Sequence, residues 1–173
     1  MREVHNVCDS LVMFEEQAAS IYRTFALRFA EDHALSAFWW QMSMEERQHA
    51  QLLRFCGCEQ LLIRGLPDDS TVRDVATVLK DLEERSNAID LSRDQAFQIA
   101  AELEASEINE VFGAVVKPVE GTWHIIRKKI ETLQSPHLGT LADAARRFGV
   151  SAPTLASISE RLQRRTPSVN ARE

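Results

Sequence analysis

Four stretches of this chain carry apolar residues at helical spacing, and each places an ionisable side chain inside its apolar stripe. In the second stretch the stripe is Phe38, Met42, Glu46, His49, Leu53 and Cys56. Steps of three and four residues thus set a Glu-x-x-His pair on the face meant for the core. The first stretch repeats the pattern with Leu11, Glu15, Ala18, Tyr22, Phe25 and Phe29. The third has Phe97, Ala100, Glu104, Glu107 or Ile108, Val111 and Val115, and the fourth Ile126, Ile130, Leu133, His137, Leu141, Ala144 and Phe148. A bare carboxylate in an apolar core costs several kcal/mol, and neighbouring carboxylates also repel one another. A multivalent cation removes both costs, so the pattern predicts a metal site inside a helix bundle.

The segments predict an all-α fold. Few Gly (6) and Pro (5) residues, with strong helical periodicity and few alternating stretches, favour it. A first helix is expected from about Val4 to Ala30, with Glu31-Asp32-His33 as the break, and a second from about Ala34 to Phe55, ended by Gly57. Leu66-Pro67-Asp68-Asp69-Ser70 is turn chemistry, after which Ser70 or Thr71 can cap a shorter helix reaching about Glu84. Ser92 with Gln95 resembles a capping box that opens a third long helix to about Val116. In the fourth segment Pro136 either kinks one continuous helix or stands at the first position of a new one capped by Ser135. In both cases His137 keeps the inward phase. Ser151 and Pro153 suggest a short last helix to about Arg165, then a frayed tail. Two long helices, a long crossover and two more long helices make a four-helix bundle over residues 1–150, the crossover at about 57–91 and a short C-terminal helix and tail at 151–173.

These residues resemble the ferritin-like superfamily, and within it the rubrerythrin-like branch, over residues 4–149. That family takes a glutamate from each of helices one and three and a Glu-x-x-His from each of helices two and four, and holds two iron ions. Glu15, followed seven residues later by Tyr22, matches the first helix, where a tyrosine lies behind the ligands. Glu46 and His49 match the second helix, Glu104 the third and His137 the fourth, while Glu107 takes the place of an additional glutamate seen in rubrerythrins. The resemblance therefore implies Glu15, Glu46, His49, Glu104, Glu107 and His137 as metal ligands, with Tyr22 hydrogen-bonded to a ligating carboxylate or to bound oxygen. Gln134 departs from the pattern, because the family carries a glutamate three residues before the last histidine.

Carboxylates and imidazoles suit iron or manganese, and zinc can occupy the same donors. A rubrerythrin-like diiron protein acting on peroxide, dioxygen or ferrous iron is the expected function, with a structural or partner-binding bundle holding a zinc-filled or degenerate site as the alternative. Reduction would need an external donor such as a rubredoxin-like protein, since no pair of Cys-x-x-Cys knuckles is present. The family and the aromatic load of Phe38, Trp39 and Trp40 imply a homodimer; Trp39, Trp40 and Trp123 read as core or dimer-interface residues. Glu16 and Glu45 stand beside Glu15 and Glu46, and spacing alone does not say which of each pair faces inward. His5, His33 and His124 lack partners at useful spacing and read as surface residues.

A formal charge of −6 argues against a nucleic-acid role, and the arginines near the end (Arg146, Arg147, Arg161, Arg164, Arg165) read as a solvated face. No apolar run approaches a membrane span and no cleavable signal pattern opens the chain, so a cytoplasmic location is expected. Cys8, Cys56 and Cys58 form an odd set and read as reduced thiols.

Overall fold

The computed structural model describes residues 2–58, 67–106 and 137–165, and among them all regular structure is helical. The helices are α1 (Arg2–Arg28), α2 (His33–Cys58), α3 (Asp69–Ser86), α4 (Arg93–Ala105), α5 (His137–Arg147) and α6 (Ala152–Arg165). No helix among the described residues is long and apolar enough to cross a membrane.

α1 and α2 form an antiparallel pair. Ser36 donates its hydroxyl to the Ala26 carbonyl at 2.8 Å and Ser43 to the Ala19 carbonyl at 2.7 Å, so α2 advances as α1 recedes. Small side chains at these crossings let the helices approach closely, and the serine hydroxyls consume their own polarity on backbone oxygens. The turn between them is set by Asp32, whose carboxylate accepts the Leu35 amide at 3.1 Å and caps α2. α2 runs on to Cys58 rather than ending near Phe55. Gly57 is carried inside its last turn, since a glycine costs a helix only about 1 kcal/mol and does not terminate it unaided.

α3 is capped by Asp68, not by Ser70 or Thr71. The Asp68 carboxylate accepts both the Thr71 amide at 2.8 Å and the Ser70 hydroxyl at 2.7 Å, which holds its pKa down to about 2. Its apolar face (Val75, Leu79, Leu82) joins the core, and Gln17 of α1 donates to Glu83 at 2.7 Å. Ser92 and Gln95 form the expected capping box at the start of α4. α4 is shorter than its apolar stripe predicts, because Ser106 leaves the helical region (φ −70°, ψ 164°). Its hydroxyl and amide both go to the Leu103 carbonyl, at 2.6 and 3.1 Å, a local side-chain bond that competes with helix propagation.

α5 ends in a Schellman turn. Gly149 adopts φ 67°, its amide bonds Arg146 and the Val150 amide reaches back to Ala145, which only a residue tolerant of the left-handed region allows cheaply. α6 then lies along α4: Asp94 accepts the Ser151 amide and the Thr154 hydroxyl at 3.2 and 3.1 Å, and Gln98 reaches Thr154 at 3.1 Å. The core runs continuously through all of these elements, from Leu11, Tyr22 and Trp39 through Phe97 and Leu141 to Ile158.

Candidate metal centre

The α1–α2 pair brings the first three candidate ligands together. Each stripe residue of α1 from Leu11 to Phe25, and of α2 from Met42 to Leu53, is buried, and the acidic members go with them. Glu15, Glu46 and His49 are 2%, 3% and 2% exposed. Their neighbours face the other way: Glu16 pairs with Arg54 at the surface, and Glu45 accepts from Gln41 at 2.9 Å. Glu15 and Glu46 are thus the inward members of the two acidic pairs.

His49 Nδ1 lies 2.9 Å from Glu46 Oε2, one turn away on the same helix, and 3.6 Å from Glu15 Oε2 across the pair. One donor atom from each of the three residues falls within 4.8 Å of the others. This convergence is what a cation site needs: two carboxylate oxygens and an imidazole nitrogen aimed at a common point.

In the metal-free state protons must do the cation's work. Burial pushes the Glu15 carboxyl up, against the hydrogen bond from His49, and the charge of Glu46 adds to the rise, to about 8. Burial alone would lower His49, but its hydrogen bonds to Glu15 and Glu46 and their negative charge outweigh it, raising the imidazole to about 10. At neutral pH the cluster therefore holds protons that a bound metal would displace.

Glu104 is the fourth candidate, 1% exposed in the last turn of α4. A carboxylate there faces the negative end of the helix dipole, which makes it a poor tenant without compensation. Tyr22 supplies part of it, donating its hydroxyl to Glu104 Oε1 at 2.5 Å from α1. Burial, and then the charges of Glu104, Glu46 and Glu15, push the Tyr22 phenol well above its ordinary value, so it stays a donor. Tyr22 thereby ties the fourth carboxylate to the helix that carries Glu15.

Glu107 and Gln134 lie outside the described residues, and so does the side chain of His137, whose backbone opens α5. His33 is exposed, as its lack of partners predicts.

A wall of rings closes the site on one side. Trp39, fully buried, stacks on Tyr22 with centroids 5.8 Å apart and planes 12° from parallel, and Phe25, Phe38 and Phe97 surround it at 5.1, 4.7 and 4.8 Å. The sequence reads Trp39 as a core or dimer-interface residue and does not place it on Tyr22. The available signal was its phase: Trp39 stands three residues before Met42 and seven before Glu46, on the ligand face of α2.

No known family model, curated protein or solved structure matches this chain.

Proposed function

We propose that this chain is a rubrerythrin-like, ferritin-type four-helix metalloprotein that holds non-haem iron and acts in peroxide or dioxygen reduction or in ferrous iron oxidation. The observation that carries the reading is the buried convergence of Glu15, Glu46 and His49 from two helices. Glu104, buried and hydrogen-bonded to Tyr22 of α1, is proposed as a further carboxylate donor beside that group. These oxygen and nitrogen donors fit iron or manganese, and also zinc. Their negative charge, costly in a core, is what a divalent ion would neutralise. Glu107 and His137 are proposed to complete a dinuclear site.

Bound iron would supply the electron transfer to peroxide or dioxygen, or be the ferrous substrate itself. The chain's own residues hold the donors in place: His49 is oriented by Glu46 along one turn, and Tyr22 fixes one oxygen of Glu104. The ring wall of Phe25, Trp39 and Phe97 keeps water from one side of the cluster. A homodimer, an external electron donor and a cytoplasmic location belong to the same proposal.

Gln134 favours a second reading, in which the bundle keeps a zinc-filled or degenerate site and serves a structural or partner-binding role. An amide brings no charge and bridges two cations poorly. Anaerobic reconstitution with ferrous iron, followed by elemental analysis, separates the two. About two irons per chain, lost in Glu46→Ala and His49→Ala, supports the first. Absence of bound iron at saturating supply, with zinc retained, turns the conclusion to the second.

A further inference from the structure

The last two helices follow a plan that the metal cluster does not use. α5 and α6 pack on one another, and both pack on α4. Four residues, Phe148 to Ser151, join α5 to α6, and Gly149 makes the turn at φ 67°. Ala145, four residues before that glycine, is small and fully buried, which lets the two helices cross closely. Val150 follows the glycine into the core, and Leu155 and Ile158 form the inner face of α6. A four-residue glycine turn, a small residue at the crossing and an apolar inner face on the second helix are the parts of a helix-turn-helix.

In that motif the second helix lies in the major groove of duplex DNA, and its outward residues meet the base edges. The outward residues of α6 are Ala152, Pro153, Ala156, Glu160 and Gln163, all exposed. Ala152, Ala156 and Glu160 recur every fourth residue and so share one stripe. Small side chains in the leading half let the helix enter a groove. Alanine methyls can meet thymine methyls, a carboxylate accepts from the cytosine amino group, and a glutamine amide pairs with adenine. No large apolar side chain is exposed on the described part of α6, so this face lacks the anchors that a protein interface uses.

Charge points to the same partner. From His137 to Glu173 there are six arginines and no lysine against three acidic residues, in a chain whose formal charge is −6. The negative charge therefore belongs to the preceding residues, and this unit is basic. Arg146 and Arg147 end α5 beside the turn, both exposed. Asp143 braces Arg146 at 2.6 Å, and the Arg147 guanidinium lies over the Phe148 ring, 5.3 Å from its centroid.

We propose that α5 and α6 form a helix-turn-helix that binds double-stranded DNA, with α6 in the major groove and Arg146 and Arg147 on the flanking phosphates. The surface lies apart from the Glu15–Glu46–His49 group, and its use does not rest on the metal reading.

The test uses the full-length chain and short random-sequence DNA duplexes, with binding read by fluorescence anisotropy over a salt series. The native chain is expected to bind, with an affinity that falls steeply as salt rises. Arg146→Ala combined with Arg147→Ala removes two phosphate contacts, so the slope of log affinity against log salt should flatten by about two. Ala156→Glu puts a carboxylate on the exposed stripe facing the duplex, and binding should weaken at least about ten-fold. Both variants alter exposed positions only, and native thermal melts and metal content check that the fold is kept. Absence of duplex binding at low salt, undiminished binding by Ala156→Glu, or single strands bound as tightly as duplexes overturns the proposal. A dimer that Ala156→Glu dissociates, with no duplex bound, overturns it too and assigns the face to a second copy of this chain.

Discussion

Tyr22 of α1 and Glu104 of α4 are joined by a 2.5 Å hydrogen bond through the protein interior, between two side chains with almost no exposure to solvent. The bond does two jobs. It offsets part of the cost of a carboxylate at the end of α4, and it fixes the distance between the helix carrying Glu15 and the helix carrying Glu104. Tyr22→Phe keeps the stack on Trp39 but removes the donor, so the metal-free chain should lose about 1–3 kcal/mol of stability. A divalent ion held by Glu104 would stabilise its carboxylate in place of the lost donor, and the loss should shrink. Urea unfolding of both proteins, with and without metal, reads the difference; an equal loss in both states would show that Glu104 does not face the metal.

The metal-free protein should lose stability as pH rises. Glu15 moves from its ordinary 4.5 up to about 8, and His49 from 6.5 up to about 10. Both groups are raised, so the folded chain binds more protons than the unfolded one between the ordinary and the raised values. Stability is then full below the lower value of each group and declines as pH climbs through the raised one. The window runs from about 4.5 to about 8 for Glu15 and from about 6.5 to about 10 for His49. Metal affinity should climb over the same window, because the protons must leave before the cation enters. Thermal melts of the metal-free chain across pH, with competition titrations of the metal, test both slopes. A metal-free melting temperature that rises from mild acid to alkaline pH would contradict the protonated cluster.

The inward acidic face was legible because it is a local property. Helical spacing puts an acidic residue of α1, α2 and α4 and His49 in phase with apolar residues, and Glu15, Glu46, His49 and Glu104 are each buried. Spacing left open which of Glu15 and Glu16 faces inward; the structure buries Glu15 with the α1 stripe, and Glu16 meets Arg54, 38 residues away, at the surface. The end of α4 was missed for a different reason: Val111 and Val115 continue the apolar period, but Ser106 bonds back to Leu103 and breaks the helix before them. The stack of Tyr22 on Trp39 joins two helices, and no spacing within either one encodes it. Glu107 and the side chain of His137 lie outside the described residues.

Helix capping and metal binding should separate cleanly at Ser92. Its hydroxyl and the Gln95 side chain satisfy two otherwise unpaired amides at the start of α4, while Glu104 sits in the last turn of the same helix. Ser92→Ala should cost about 1 kcal/mol of stability. It touches neither the ligands nor Tyr22, so metal stoichiometry should be unchanged. Chemical unfolding and elemental analysis of the same preparation check the two halves, and a loss of metal would mean that the start of α4 governs the placement of Glu104.

Ser43 should control metal binding without being a ligand. It sits one turn before Glu46, is buried, and gives its hydroxyl to the Ala19 carbonyl at 2.7 Å where α1 and α2 cross. The close approach there sets the 3.6 Å gap between His49 and Glu15, which belong to opposite helices. Ser43→Leu pushes a branched side chain into that crossing, at an overpacking cost of about 1–3 kcal/mol. The helices must separate locally, and Glu15 moves away from the Glu46–His49 pair. Ser43→Ala, by contrast, loses a hydrogen bond but keeps the spacing. Metal affinity should therefore fall for Ser43→Leu and hold for Ser43→Ala, although both lose stability. Calorimetric titration with a divalent metal ranks them, and equal affinities would show that the site does not depend on the α1–α2 spacing.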